Sequence, residues 1–302
     1  MSVTDLPDSL LKTGLQRIQR EVDATFDAFL PVPDDSRARL VEAMRYAAMG
    51  GGKRVRPLLV TATADMFGVD RDAAVRTGCA VEAIHVYSLI HDDLPCMDDD
   101  DLRHGKPTLH REFDEATAVL AGDSLHALAF EILSETATCS DPFTRAELIA
   151  TLAAASGKDG MAGGQMMDIE SEGEDYDLHT ITRLQQLKTG ALLAASVEMG
   201  AILGKIAPEG RTHLRAYARD IGLAFQIADD LLDVEGDAEK AGKALRKDEE
   251  QGKQTFVTLM GVEPARKQAR ALVDQAIGHL AGHGTEADLL RALARFIVER
   301  DR

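Results

Sequence analysis

Aromatic side chains are scarce in this sequence of 302 residues, which has no tryptophan, four tyrosines and nine phenylalanines. Alanine and leucine dominate the apolar residues instead, and this composition favours helix over strand. Cysteines are also few, namely Cys79, Cys96 and Cys139. An odd number of cysteines without zinc-ligand spacing excludes a fully paired disulfide framework and a cysteine zinc site, and is typical of a protein of the reducing cytoplasm.

Long apolar runs and excess positive charge are missing too. No stretch of about 18 consecutive apolar residues occurs, and residues 1–14 lack a basic segment followed by an apolar one. We therefore expect a cytoplasmic protein with no membrane insertion and no signal peptide. The 51 acidic residues outnumber the 34 basic ones, which gives a formal net charge of −17. This charge repels nucleic acid, so an anionic substrate must be bound locally by clustered cations or metal ions.

Apolar residues recur every three to four positions along nearly the whole chain, which predicts an all-α fold. No linker of biased composition divides the sequence, so we expect a single domain over residues 1–302. The pattern predicts helices over about 11–29, 36–49, 57–67, 71–93, 115–138, 142–158, 180–204, 209–235, 255–261 and 264–300, the last with a break near Gly282–Gly284. Two long polar stretches, 94–113 and 236–253, lie next to an Asp pair, and loops of that length are usually functional or disordered.

The first acidic cluster, in the sequence HDDLPCMDDDD, places six carboxylates within residues 92–101. Carboxylates this close repel one another unless cations bind them, and their oxygens select hard cations such as Mg²⁺ or Ca²⁺. The spacing does not fit an EF-hand, because no start places Gly at the sixth position and Glu at the twelfth. Taken alone, the cluster is equally typical of a solvated acidic loop.

A second acidic cluster lies inside an apolar helix, in the sequence QIADDLLD. Gln226, Asp229 and Asp233 share one helix face, whereas Asp230 points about 100° away from it. Burying unpaired carboxylates among apolar neighbours is costly, and a bound metal removes that cost. Two acid-rich helix ends that face each other across a cavity could therefore hold a metal–diphosphate complex, with phosphate and water as the remaining Mg²⁺ ligands.

Cations that could meet a diphosphate occur at several places. Lys53, Arg54 and Arg56 follow three glycines at a predicted helix start, where the helix dipole and backbone N–H groups favour anions. Lys188, followed by Thr189 and Gly190, interrupts an apolar helix. This predicts a local distortion with the ammonium facing a cavity, although a snorkelling lysine gives the same pattern.

Two further features accompany these clusters. His85 lies seven residues before Asp92 and therefore shares its helix face. Gly163-Gly164-Gln165, followed by Asp168, predicts a glycine-rich break in the chain. The sequence shows no Ser/His/Asp or Cys/His arrangement, so we do not expect a nucleophilic side chain.

In this order, the motifs resemble the trans-polyprenyl diphosphate synthase family, and within it the bacterial farnesyl diphosphate synthases. The resemblance runs through GGKRVRP, HVYSLIHDDLPCMDDDDLRHGKPT, GGQMMDIESEG, LKTGALL, FQIADDLLDVEGD and FIVERDR. It implies a bundle of long antiparallel helices around a central cavity, assembled as a homodimer. It also implies a Mg²⁺-dependent head-to-tail condensation of isopentenyl diphosphate with dimethylallyl or geranyl diphosphate, which gives (2E,6E)-farnesyl diphosphate.

The resemblance also assigns roles by position. The implied catalytic residues are Asp92, Asp98, Lys188 and Asp229, of which the three aspartates resemble the Mg²⁺ ligands. The residues implied to bind isopentenyl diphosphate are Lys53, Arg56, His85 and His104. The residues implied to bind the allylic diphosphate are Arg103, Lys188, Thr189, Gln226 and Lys243. His104 departs from the family pattern, which usually has arginine there, so the affinity for isopentenyl diphosphate depends on its protonation.

Product length is implied by residues shortly before Asp92. Ser88 lies about 40° from Asp92 on a helical wheel, whereas periodicity alone puts Tyr87 off that face. In the family, a bulky aromatic residue at the position of Tyr87 stops chain growth, which implies a fifteen-carbon product. The alternatives are a geranylgeranyl diphosphate synthase, with a twenty-carbon product, and a non-catalytic regulatory homologue. A regulatory homologue would be expected to lose an Asp motif, and both motifs are intact.

Overall fold

The computed structural model describes residues 5–171, 173–235 and 254–299, and within them the backbone is almost entirely helical. The first helices along the chain are α1 (Asp5–Phe29), α2 (Ala38–Ala48), α3 (Val55–Asp65), α4 (Arg71–Asp92), α5 (Leu109–Glu112), α6 (Glu115–Ser134) and α7 (Pro142–Ser156). Between α4 and α5, a small antiparallel hairpin pairs β1 (Leu102–Arg103) with β2 (Lys106–Pro107). These two-residue strands are the only ones in the described ranges.

The second half of the chain continues the helical pattern. Its helices are α8 (Met161–Glu170), α9 (Leu178–Gln185), α10 (Ala191–Leu203), α11 (Thr212–Glu235), α12 (Phe256–Met260), α13 (Val262–His279) and α14 (Asp288–Glu299). The segment Gln186–Gly190 joins α9 to α10 without a break, because it is π-helical. The all-α fold predicted from the sequence is therefore confirmed.

Helix α4 runs through the middle of the bundle. Every residue from Thr77 to Ile84 is buried, and α3, α6, α1 and α10 pack around the helix. Asp70 caps its start by accepting a hydrogen bond from the Ala73 N–H at 3.2 Å. The C-terminal residues of α4, of which Asp92 is the last, thus lie at one end of the bundle.

Acidic residues lie at the N-terminal ends of some helices and at the C-terminal ends of others. At the N-terminal ends they are favourable, and Asp114, Asp141 and Asp177 cap α6, α7 and α9. The C-terminal ends of α4 and α11 also carry acids, including Asp92 and Asp233, although the helix dipole is itself negative there. Such carboxylates are destabilised unless a cation binds them, which marks these two helix ends as a candidate site.

Helix α6 is the one helix in the described ranges that is long and apolar enough to cross a membrane, judged by length and composition. Nine of its residues are buried, and it packs against α4, α2, α5 and α7, so its apolar character serves the core of the bundle. Val119 and Leu120 are nevertheless 40% and 56% exposed. Helix α6 is thus a core helix with an uncovered apolar strip.

Two parts of the chain differ from the sequence-based prediction. Residues 161–170 form a regular helix, α8, where a glycine-rich break was predicted, because its glycines serve close packing rather than a turn. The stretch 94–113 contains the hairpin and α5, since His104 and Gly105 both adopt positive φ and close a tight two-residue turn. The other polar stretch, 236–253, lies outside the described residues.

Candidate active site

A cavity with an empty volume of about 1020 Å³ opens beside the C-terminal end of α4. Its wall is formed by α4, α8 and the π-helical segment, with one residue from α3. The predicted site residues that line it are Arg56, His85, Tyr87, Ser88, Asp92, Lys188 and Thr189. We call it the α8 cavity. The structure thus brings together residues predicted to bind metal, to bind diphosphate and to set product length.

A second cavity, of about 770 Å³, lies next to the first. We call it the hairpin cavity, because Arg103, His104, Lys106 and Pro107 of the β1–β2 hairpin line it together with Gly50, Gly51, Gly52 and Arg54. His85 and Leu89 line both cavities, so α4 forms a wall that the two share. Two chambers that meet at one helix could hold two anionic substrates side by side.

Asp92 lies at the polar end of the α8 cavity. The loop after α4 folds back onto this residue, because the Asp98 N–H donates to the Asp92 carbonyl oxygen at 2.8 Å. Burial raises the pKa of Asp92 to about 6, an effect that the Lys188 ammonium opposes and the Asp98 carboxylate strengthens. Two carboxylates so close together concentrate negative charge that a cation would stabilise.

Arg103 forms an ion pair with the second residue of the first Asp pair. Its guanidinium binds Asp93 through Nε, at 2.7 Å from Oδ1, and through Nη2, at 2.5 Å. Asp93 is buried, so the pair is desolvated and fixed in geometry. Arg103 was predicted to bind the allylic diphosphate, but it lines the hairpin cavity and not the α8 cavity.

The two residues of the second Asp pair, in α11, also differ in environment. Asp230 is buried, and its Oδ2 accepts a hydrogen bond from the Phe256 N–H at 2.8 Å, which fixes the start of α12. Asp229 is half-buried, and its charge acts on the Arg56 guanidinium, which lines the α8 cavity. In both Asp pairs, then, the second residue stabilises the scaffold.

The π-helical segment carries Lys188 and Thr189, and both residues line the α8 cavity. The local distortion predicted at this lysine is therefore confirmed. A π-helical turn accommodates one extra residue and is frequent at functional sites. The Lys188 Nζ lies 2.8 Å from Asp168 Oδ2 of α8, and its charge also acts on Asp92. Lys188 thus interacts with carboxylates from two different helices.

Arg54 and Arg56 are two residues apart but have different environments. Arg54 has a left-handed backbone conformation, with φ of +54°, and its buried guanidinium binds Glu82 at 2.8 Å and Asp23 at 2.9 Å. It therefore holds α1, α3 and α4 together. Arg56 lines the α8 cavity, where burial lowers its pKa and the charges of Glu82 and Asp229 oppose the shift. A guanidinium stays charged at neutral pH even so.

Of the predicted diphosphate contacts among the described residues, Lys53 and Gln226 line neither cavity. Lys53 is exposed, and its Nζ lies 5.4 Å from the centre of the Phe296 ring in α14. Gln226 donates a hydrogen bond to the Gln185 side chain at 2.7 Å, which ties α11 to α9. Lys243 lies outside the described residues.

Both predicted histidines are mostly neutral near pH 7. Burial, followed by the charges of Arg56 and Arg103, holds the pKa of His85 well below its usual range. His104 stands at the tip of the hairpin, where partial burial and the charges of Arg103 and Arg54 lower its pKa. A neutral imidazole can donate one hydrogen bond to a phosphate oxygen but supplies no full positive charge.

Tyr87 lines the α8 cavity even though helical periodicity puts it off the face of Asp92. Its ring lies against the His126 ring of α6, with 4.9 Å between the ring centres, and His126 in turn contacts Phe130 at 5.4 Å. Ser88 also lines the cavity, and its Oγ donates to the carbonyl oxygen of His85 at 2.9 Å. Tyr87 is therefore backed by a second layer of rings.

Comparison with known proteins decides the family. The model of the polyprenyl synthetase family matches residues 37–294. The chain belongs to this family. Farnesyl diphosphate synthase of Escherichia coli (strain K12) is 45% identical over 296 residues, which cover 95% of this chain and 98% of that protein.

Two further comparisons show how far this similarity extends among polyprenyl synthetases. The chloroplastic geranylgeranyl pyrophosphate synthase 11 of Arabidopsis thaliana is 43% identical over 296 residues, which cover 96% of this chain and 82% of that protein. The crystal structure of an FPP/GFPP synthase from Zymomonas mobilis has a TM-score of 0.88 and 60% identity, and the match covers 95% of this chain and 98% of that one.

The acidic residues suit the divalent metal that polyprenyl synthetases of the farnesyl type generally use. Across the described ranges, no three His, Cys, Asp or Glu side chains are already grouped to hold a metal ion. Mg²⁺ does not need such a cage, because it takes one or two carboxylates and fills its other positions with water and substrate phosphate. Asp92 and Asp98 offer hard carboxylate oxygens beside the α8 cavity, so the donor set fits a Mg²⁺ ion that arrives with a diphosphate.

Two residues of this polyprenyl synthetase site, Asp93 and Asp168, had no role predicted from the sequence. Asp93 could have been found from Arg103, ten residues later, because a buried guanidinium requires a partner for its charge. The signal for Asp168 was its position four residues after Gly164, on the same face if residues 161–170 are treated as a helix.

Proposed function

We propose that the protein condenses isopentenyl diphosphate head-to-tail with dimethylallyl diphosphate and then with geranyl diphosphate, giving (2E,6E)-farnesyl diphosphate. The observation that carries this proposal is the pair of adjacent cavities that share His85 and Leu89. One cavity combines Asp92 and Lys188 with a deep apolar wall, as an allylic diphosphate requires. Relatives named farnesyl diphosphate synthase, 45% identical in Escherichia coli, support the same prenyltransferase reaction.

The first step is ionisation of the allylic substrate in the α8 cavity. Its diphosphate lies at the Asp92 end, where Lys188 stabilises the negative charge that moves onto it as the C–O bond breaks. We propose that Asp92, Asp98 and Asp229 would hold Mg²⁺, which when bound would supply Lewis-acid stabilisation of the leaving diphosphate. The apolar remainder of the cavity excludes water from the allylic cation.

The second step is attack by the isopentenyl double bond. We assign its diphosphate to His85 and His104 of the hairpin cavity, with Lys53 and Arg56. The double bond attacks C1 of the allylic cation and forms the new C–C bond. Loss of a proton from the isopentenyl unit to the departed diphosphate then restores a double bond. Orientation of the two substrates does most of the work, because no covalent enzyme intermediate is involved.

The remaining assignments concern the allylic diphosphate. We propose that Thr189, Gln226 and Lys243 contact it, and Thr189 lines the α8 cavity. Arg103 lines the hairpin cavity, and we propose that it approaches the allylic diphosphate from that side.

Product length is proposed to be fifteen carbons. Tyr87, backed by His126 and Phe130, forms the floor that stops the growing chain, and Ser88 lies beside it on the cavity wall. The alternative is a twenty-carbon product, which is supported by the 43% identity to the geranylgeranyl pyrophosphate synthase of Arabidopsis thaliana.

We also propose a cytoplasmic homodimer in which residues 1–302 form one domain. Helix α1 packs against α14, so the two ends of the described chain belong to one bundle. Val119 and Leu120 of α6 leave an apolar strip uncovered, and pairing with a second copy would bury it. Free cysteines are typical of a reducing compartment.

A single assay tests the proposed function. The purified protein is incubated with MgCl₂, isopentenyl diphosphate and either dimethylallyl or geranyl diphosphate, and both diphosphate release and product mass are measured. We expect farnesyl diphosphate, loss of activity with EDTA and recovery with added MgCl₂. No diphosphate release with either allylic substrate would contradict the function, whereas a twenty-carbon product would contradict only the length.

A further inference from the structure

Helix α8 carries residues to which the proposed reaction gives no role. Gly164 packs directly on the π-helical segment, since a Cβ at this position would lie 2.1 Å from the backbone nitrogen of Lys188. No side chain fits there, so α8 and the backbone of Lys188 are held in contact. Asp168 lies one turn further along α8, on the same face as Gly164.

Asp168 holds the ammonium group of Lys188. Its Oδ2 lies 2.8 Å from the Lys188 Nζ, and the side chains of Asp168 and Lys188 are 12% and 28% exposed. A lysine carries a compact charge on a flexible four-carbon stem and can take many positions. A carboxylate on a packed helix removes that freedom, and an ammonium with three donors can still bind a diphosphate oxygen.

Lys188 and Asp92 line the same cavity, and the charge of Lys188 acts on Asp92. We infer that Asp168 is a positioning residue that aims Lys188 at the allylic diphosphate. This inference rests on the proposed function, because it takes Lys188 as a ligand of that substrate. Asp168 acts through the lysine and not on the reacting atoms.

A double-mutant cycle tests the inference. Asp168→Asn should lower kcat/KM for geranyl diphosphate by about 10- to 100-fold, the usual effect of losing the partner that orients a ligand, while KM for isopentenyl diphosphate stays within about twofold. The double variant Asp168→Asn/Lys188→Ala should be no less active than Lys188→Ala alone, because Asp168 has no lysine left to orient.

The matched control is Asp159→Asn, which removes the same charge just before α8. Asp159 is 77% exposed and pairs with an exposed lysine, so this variant should keep wild-type kinetics. Should Asp168→Asn fail to fold, the same cycle with Asp168→Glu decides by the same criterion, since glutamate keeps the charge but moves it by one methylene.

The cycle separates two kinds of failure. If the losses in the double variant add, or if Asp168→Asn raises both KM values equally, the positioning role is overturned while the wild-type protein still condenses its substrates. If the wild-type protein releases no diphosphate at all, the proposed function is overturned instead.

Discussion

Replacement of Tyr87 by alanine should lengthen the product by one five-carbon unit. The Tyr87 ring lines the α8 cavity and lies 4.9 Å from the His126 ring and 5.8 Å from the His91 ring, measured between centres. An apolar cavity of roughly 150 Å³ accommodates benzene, so the space left by a tyrosine ring suits the five carbons of one isoprenoid unit but not two. Burying those carbons contributes on the order of 4 kcal/mol, at about 0.8 kcal/mol each, so growth into the space is favourable.

The second layer of rings sets where the longer chain stops. His126 stays in place behind the missing tyrosine and is itself backed by Phe130, so Tyr87→Ala should yield mainly the twenty-carbon product. The double variant Tyr87→Ala/His126→Ala should yield still longer chains. Losing the two ring contacts of Tyr87 costs about 1–3 kcal/mol, which is less than the stability of a typical domain, so the variant should fold.

The assay follows labelled isopentenyl diphosphate into products primed with geranyl diphosphate, and the ratio of twenty- to fifteen-carbon product is measured by mass spectrometry. Tyr87→Phe is the matched control, because it keeps the ring and should keep the fifteen-carbon product. An unchanged ratio in Tyr87→Ala would refute the reasoning. A shift in Tyr87→Phe as large as in the alanine variant would refute it too, since the hydroxyl and not the ring would then form the floor.

Four further substitutions test the charge arrangement. Asp92→Ala and Asp229→Ala should each lower kcat by roughly 10²-fold or more, because an electrostatic contact to the leaving diphosphate is lost, with little change in melting temperature. Near-normal kcat in both variants at saturating Mg²⁺ would contradict the metal assignment. His104→Arg should lower KM for isopentenyl diphosphate, because a permanent cation replaces an imidazole whose pKa is depressed. The wild-type KM should rise as pH rises toward about 6.5 and then level off, and identical pH curves in the two proteins would show that His104 does not touch the substrate. The Nε2 atoms of His213 and His283 lie 2.7 Å apart, and burial followed by the charge of His283 lowers the pKa of His213. The unfolded chain then binds more protons than the folded one below about pH 6.5, so stability is full above that pH and falls below it. The melting temperature should drop more in the wild type than in His213→Gln between about pH 7.5 and about pH 5, and equal drops would argue against this coupling.

Periodicity predicted most helices because their buried faces are long and regular, as in α1 and α11. It missed α8 because adjacent glycines have low helix propensity, while the packing of Gly164 against the π-helical segment outweighs that cost. Helix geometry also predicted that Asp230 turns away from Asp229. Its partner, the Phe256 N–H, could not be predicted, since it lies 26 residues further along the chain.

For a similar reason, the sequence could not predict which cation lines which cavity. Arg54 and Arg56 belong to one basic run, but the partners of Arg54 are Glu82 and Asp23, which lie 28 and 31 residues away on other helices. Only tertiary packing decides that Arg54 becomes a structural bridge beside the hairpin cavity and that Arg56 lines the α8 cavity. The acidic motifs were easier to interpret, because carboxylates inside an apolar helix, at Asp229 and Asp233, conflict with a purely structural role.

The π-helical segment Gln186–Gly190 limits which insertions and deletions this chain can tolerate. With one residue fewer, α9, the segment and α10 would become a regular helix, and the two halves would rotate by about 100° relative to each other. The buried face of α10 would then keep its place only if Lys188 and Thr189 left the cavity wall. A single-codon deletion here should therefore leave a folded but inactive protein. Activity thus requires this segment to keep its length, whichever side chains it carries.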